Sequence, residues 1–210
     1  MRKSINVLFI ILCILIGLYP FIYFFIDRKF GLLSSKNSEL LANDLWNIAF
    51  YSHIILGGIA LLIGWVQFNK HIRSNRLYLH KLLGKAYIIS ALISGITGIY
   101  IALFATGSII ASLGFIILGV IWMYTTSKAY LNAIQGKIYK HQILMYYSYS
   151  VCFAAVTLRI WLPILSALLG DFIIAYRIVA WLCWIPNLVV AHYLINVIKL
   201  DQTTSTVIKN

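Results

Sequence analysis

The sequence predicts an all-α fold: a polytopic membrane helix bundle of six transmembrane helices with both termini cytoplasmic. Three observations predict it. Hydrophobic residues make up 62% of the 210-residue chain and charged residues only 10%, against about 25% charged in soluble domains. One core could not hide that much apolar surface from water. The apolar residues fall into six runs, each reaching the ~20 residues needed to cross a hydrocarbon core. The basic residues gather at alternate ends of those runs, as the retention of Lys/Arg-rich loops on the cytoplasmic side requires.

The first span, about 5–26, follows Arg2 and Lys3. It is too long for a signal-peptide core and lacks a small-residue cleavage site, so it is expected to remain. Residues 27–46 form a polar linker holding Asp27, Glu39 and Asp44, three of the five acids in the chain. The second span, about 47–68, carries His53, Gly57, Gly58 and Gly64. The stretch Asn69 to Lys85 (NKHIRSNRLYLHKLLGK) is the most basic, with Lys70, Arg73, Arg76, Lys81 and Lys85. Its cytoplasmic retention fixes the direction of every other span. The third span is about 79–104, followed by an uncharged turn and a fourth span at about 109–131. A second basic loop, with Lys137 and Lys140, leads to the fifth span, about 141–169, which Pro163 is expected to interrupt. After a turn at Asp171 the sixth span covers about 172–200, and residues 201–210 form a polar tail expected to be unstructured. Residues 1–200 read as a single bundle. In this arrangement twelve of the 17 basic residues are cytoplasmic. The charge of +12 therefore follows membrane topology, with no basic face for nucleic acid.

Residues three and four apart share a helix face. On the fifth span that spacing aligns His141, Met145, Ser148, Cys152, Ala155 and Arg159; on the third it aligns His80, Gly84, Tyr87, Ala91, Gly95 and Gly98. Such small residues let helices pack closely or leave room for a flat cofactor. His80 and His141 stand at matching depth near the cytoplasmic end, with His192 on the sixth span nearby and His53 toward the outer side. These histidines are the candidate ligands for a cofactor, and His80 and His141 for a metal. Arg159 stands some eighteen residues, or ~27 Å, from the inner end of its helix, at the depth of His53. No expected span contains Asp or Glu. Arg159 must therefore reach lipid headgroups, meet a loop acid such as Asp44 or Asp171, or hold an anion. The same lack of acids weighs against a zinc hydrolase and a proton-coupled carrier. Walker, GxSxG and HExxH motifs are all missing. Cys13, Cys152 and Cys183 are isolated within apolar runs, with no CxxC spacing, and read as small buried hydrophobes.

The segments HIILGG from His53, LHKLLGKAY from Leu79, WMYTTSKAY from Trp122 and HQILMYYSYSVCFAAVTLR from His141 together resemble a family of multi-pass bacterial membrane proteins known only as a domain of unknown function. The resemblance covers roughly residues 50 to 165. Family members commonly carry HR and GR where this chain has His80-Lys81 and Gly84-Lys85, which keeps the charge but loses the planar guanidinium fork. The resemblance implies a cytoplasmic-membrane location and supplies no activity. A more distant analogy is to membrane b-type cytochromes. The fourth span has no histidine, so a single haem between His80 and His141 is the most that analogy allows, with Gly84, Gly95 and Gly98 at the ring edge. The leading expectation is an interior histidine-lined ligand or haem site of redox character. A structural or interaction protein and a small-molecule transporter are the alternatives.

Overall fold

The computed structural model describes residues 2–26 and 31–207. Helix α1 (Arg2–Leu18) passes at Tyr19 into a 3-10 turn, Tyr19–Phe24, where Pro20 cannot donate to the preceding turn. After a 3-10 turn at Gly31–Ser35 come a short α2 (Ser38–Ala42), α3 (Asp44–Gly64) with a 3-10 extension Trp65–Phe68, and a short α4 (Lys70–Asn75). Long helices α5 (Leu77–Ala102) and α6 (Ser108–Ile134) follow, then α7 (Ile138–Cys152), α8 (Ala154–Leu169), α9 (Phe172–Leu182) and α10 (Ile185–Val207). Six stretches of the described residues are long and apolar enough to cross a membrane: Asn6–Phe24, Asp44–Phe68, Leu77–Ala102, Ser108–Ile134, Ile138–Leu169 and Phe172–Val197. Asn43 and Asp171 begin α3 and α9 by accepting hydrogen bonds from backbone N–H groups. Gly136 and Gly170 end α6 and α8 in the left-handed conformation.

Three features differ from the sequence expectation. Pro163 does not interrupt the fifth span; α8 runs through it, leaving the Arg159 carbonyl without its usual helical donor, which membrane helices tolerate. The break falls instead at Phe153, between α7 and α8. The sixth span also breaks, at Cys183 and Trp184 just before Pro186. The Cys183 carbonyl released there accepts from Thr157 Oγ1 and, at 2.8 Å, from Asn187 Nδ2. Finally, α10 continues to Val207 past Asp201, because no Gly or Pro stands in that stretch to stop it.

Backbones meet at small residues. A Cβ on Gly58 would come within 2.5 Å of the Gly17 carbonyl oxygen, and one on Gly114 within 2.8 Å of the Ala180 carbonyl. Thus α1 with α3, and α6 with α9, touch where a side chain is missing. A buried polar cluster joins α5, α6 and α7. Tyr87 OH lies 2.8 Å from Ser148 Oγ, which lies 2.6 Å from Thr126 Oγ1, while Trp122 Nε1 donates to Tyr87 OH at 3.3 Å. Tyr149 OH donates to the Leu61 carbonyl at 2.9 Å, so the Cys13 thiol donates to its oxygen at 3.2 Å. Every group in these clusters is neutral, and interhelical bonds of this kind contribute about 0.6 kcal/mol each.

Candidate functional site

A cavity of about 220 Å³ lies inside the bundle, walled by residues of α1, α3, α5, α6, α7, α8 and α9. Its walls are mostly apolar and aromatic, including Phe50, Phe115 and Trp122. Polar groups converge on it from three elements: His53 from α3, Arg159 from α8, and Lys36 from the segment between the first two spans. That segment folds back over the bundle because Leu33 and Leu41 bury against Tyr23, Trp46 and Phe50. Lys36 Nζ then donates to the Phe104 carbonyl and, at 2.9 Å, to Thr106 Oγ1, while Ser35 and Thr106 share a 2.8 Å bond. A larger furrow along Asp44, Tyr51 and Ile55 is open along one side of α3 and encloses nothing.

Arg159 is the charge at the centre of this arrangement. Its guanidinium stacks over the Tyr19 ring, 4.3 Å from the centroid, and Nη1 donates to the Ala155 carbonyl at 2.9 Å. Ring stacking and one backbone bond use part of its five-donor fork. Among the described residues no carboxylate contacts it. Asp171, one candidate partner, is spent capping α9. His53 is held by two bonds to one residue: its Nδ1 lies 2.8 Å from the Ser94 carbonyl, and Ser94 Oγ donates to the His53 carbonyl at 2.9 Å. A carbonyl accepts only, so Nδ1 carries the proton. Nε2 of the neutral ring is then an acceptor available to a ligand hydroxyl.

Lys36 is half-buried, and the loss of water around its ammonium pushes its pKa down to about 8 from 10.5. The unfolded chain binds more protons than the folded one across that window, so folded stability should rise with pH between about 8 and 10.5. Below about 8 the full desolvation penalty is present. Melting curves of wild type and Lys36→Met across this range should differ by that slope; parallel curves would contradict it.

The expected site residues separate into groups. His53 and Arg159 share the cavity, as their matched depth implied, and Cys152 and Ala155 of the same row line it too. His80 and His141 are within electrostatic reach of each other at the basic end of the bundle. His141 Nδ1 is fixed on the Ala129 carbonyl at 2.9 Å. His192 is exposed and lies 2.9 Å from Tyr147 OH, tying α10 to α7. Among the described residues no group of three or more His, Cys, Asp or Glu could hold a metal ion. The glycines expected at a haem edge have other neighbours: Met123 packs on Gly95, the His53 ring on Gly98 and the Gln67 amide on Gly84. Lys36 was not foreseen as a cavity residue, since only the fold-back of its segment brings it there.

Fold and composition define a polytopic membrane protein. The family described as predicted membrane protein (DUF2306) matches residues 50–195, and the chain belongs to it. No curated protein and no solved structure matches the chain.

Proposed function

We propose that this DUF2306 protein binds a small amphipathic acid in its interior cavity, the acidic group on Arg159 and the apolar body against Phe115 and Trp122. The observation that carries this reading is a guanidinium in the wall of an apolar cavity with no carboxylate among its contacts with the described residues. A charge taken out of water is costly unless paired, and an incoming anion is the natural partner. His53 Nε2 offers an acceptor for a hydroxyl on the same ligand, and Lys36 adds a second cation at the rim below pH about 8. The volume is under the roughly 300–1,000 Å³ of drug-sized sites, which favours a compact ligand. A haem between His80 and His141 has less support, because two of its three expected glycines are filled by other side chains.

Trp46 and Trp122 line the cavity and report on it. 4-Bromobenzoate should quench tryptophan fluorescence of the purified protein saturably, and the neutral amide 4-bromobenzamide should not. Equal quenching by acid and amide would defeat the reading. A Soret band in the purified protein would revive the haem instead.

Orientation belongs to the same proposal. With the basic loops cytoplasmic, the cavity rim at Lys36 faces outward and the ligand enters from outside the inner membrane. A reporter active only outside the cytoplasm should work when fused near Gly107 and stay silent near Arg73 or Gly136. The opposite pattern would invert the route of entry.

A further inference from the structure

At the basic end of the bundle, away from the cavity, Trp65 Nε1, Gln67 Nε2 and His80 Nδ1 are buried with no hydrogen-bond partner among the described residues. Gln67 is only 5% exposed and its Nε2 has no hydrogen-bond partner among the described residues. His80 Nδ1 is likewise buried and unpaired. Gln67 packs on α5 one turn from His80: a Cβ on Gly84 would lie 3.5 Å from Gln67 Oε1, and Gly84 follows His80 by one turn on the same face. His141, which electrostatic coupling pairs with His80, donates Nδ1–H to the Ala129 carbonyl, so its Nε2 can donate to an anion only in the imidazolium form. Arg73 is also within reach of His80. A buried donor left without an acceptor bears its full desolvation cost. Of the acids within the described residues, Glu39, Asp44 and Asp171 stand at the opposite end of the bundle, and Asp201 lies on α10 beyond the sixth span. The nearby cation disfavours a metal ion and favours an anion.

We infer that Gln67, His80 and His141 form a second site, separate from the cavity, that takes a phosphate group. Gln67 ends the second span and His80 lies in the first turn of the third, so the site is at the depth of lipid headgroups. The phosphate belongs either to an anionic lipid or to a soluble phosphate compound, and both use the same donors.

Melting of the full-length protein in nanodiscs separates these sources. Three preparations are compared: phosphatidylcholine alone, phosphatidylcholine with phosphatidylglycerol, and phosphatidylcholine with added inorganic phosphate. Wild type should melt higher in one or both of the latter two, since a ligand that binds only the folded state stabilises it. A shift with phosphatidylglycerol assigns the lipid; a shift with inorganic phosphate assigns the soluble compound. Gln67→Leu removes both amide donors and should abolish the shift while melting at or above wild type in phosphatidylcholine alone. Gln67→Met, a less branched replacement, should do the same and guards against misfolding of the first variant. An unchanged wild type in all three preparations, or an equal shift in both variants, would overturn the site. So would strong destabilisation of both variants in phosphatidylcholine alone, because the amide would then already be paired within the protein.

Discussion

Arg159→Lys should weaken saturable quenching by 4-bromobenzoate at least about tenfold, and Arg159→Leu should abolish it, with both variants inserting normally in the membrane. Hydrogen bonds to charged groups contribute about 1.5–3 kcal/mol, and 1.4 kcal/mol corresponds to a factor of ten. Lysine keeps the charge but not the fork, nor the flat face that stacks on Tyr19 at 4.3 Å. If the guanidinium acted only as a point charge near headgroups, lysine would replace it at no cost. Titrations giving the same half-saturation for wild type and Arg159→Lys would therefore return the residue to a purely anchoring role. Insertion is checked separately by membrane fractionation, so loss of binding is not confused with loss of protein.

Gly58→Ala should lower the melting temperature sharply, whereas Gly84→Ala should leave it nearly unchanged. Both glycines lie in apolar spans and both belong to sequence patterns that invite the same small-residue explanation. Their surroundings differ. At Gly58 the new methyl would meet the Gly17 carbonyl oxygen at 2.5 Å, so whole helices must separate, and overpacking of this kind costs roughly 1–3 kcal/mol. At Gly84 the nearest atom would be the Gln67 side-chain oxygen at 3.5 Å, an ordinary contact. Alanine also favours helix over glycine, which offsets any small loss there. Equal melting of the two variants in the same detergent would show that α1 and α3 do not meet as described.

The six spans were legible because run length and charge at run ends are local properties of a chain. Matched depth also brought His53 and Arg159 together, since helical rise turns residue number into height. Burial and long-range folding were not legible. Lys36 reads as one more outer-loop cation until Leu33 and Leu41 pull its segment over the bundle. Gln67 reads as the last polar residue of a span, and only its 5% exposure marks it. The helix break at Phe153 left no clearer sign, because Pro163 was the stronger local signal and the helix absorbed it.

The two helix breaks in the last spans have a mechanical consequence. Below them α7 and α10 are tied by Tyr147 and His192. Above them α8 and α9 pack against each other in a separate apolar cluster that includes Leu162, Ala175 and Val179. Thr157 and Asn187 converge on the Cys183 carbonyl and couple the joints. α9 is in turn braced on α6, where Gly114 meets the Ala180 carbonyl and Arg177 donates to the Gly107 carbonyl at 2.9 Å, so the joints at Phe153 and Cys183 hold α8 and α9 against that helix. Arg159 and Tyr176 are thereby carried into the same cavity wall as Lys36, His53 and Trp122. The cavity wall is thus completed by segments that two helix joints turn back toward the bundle.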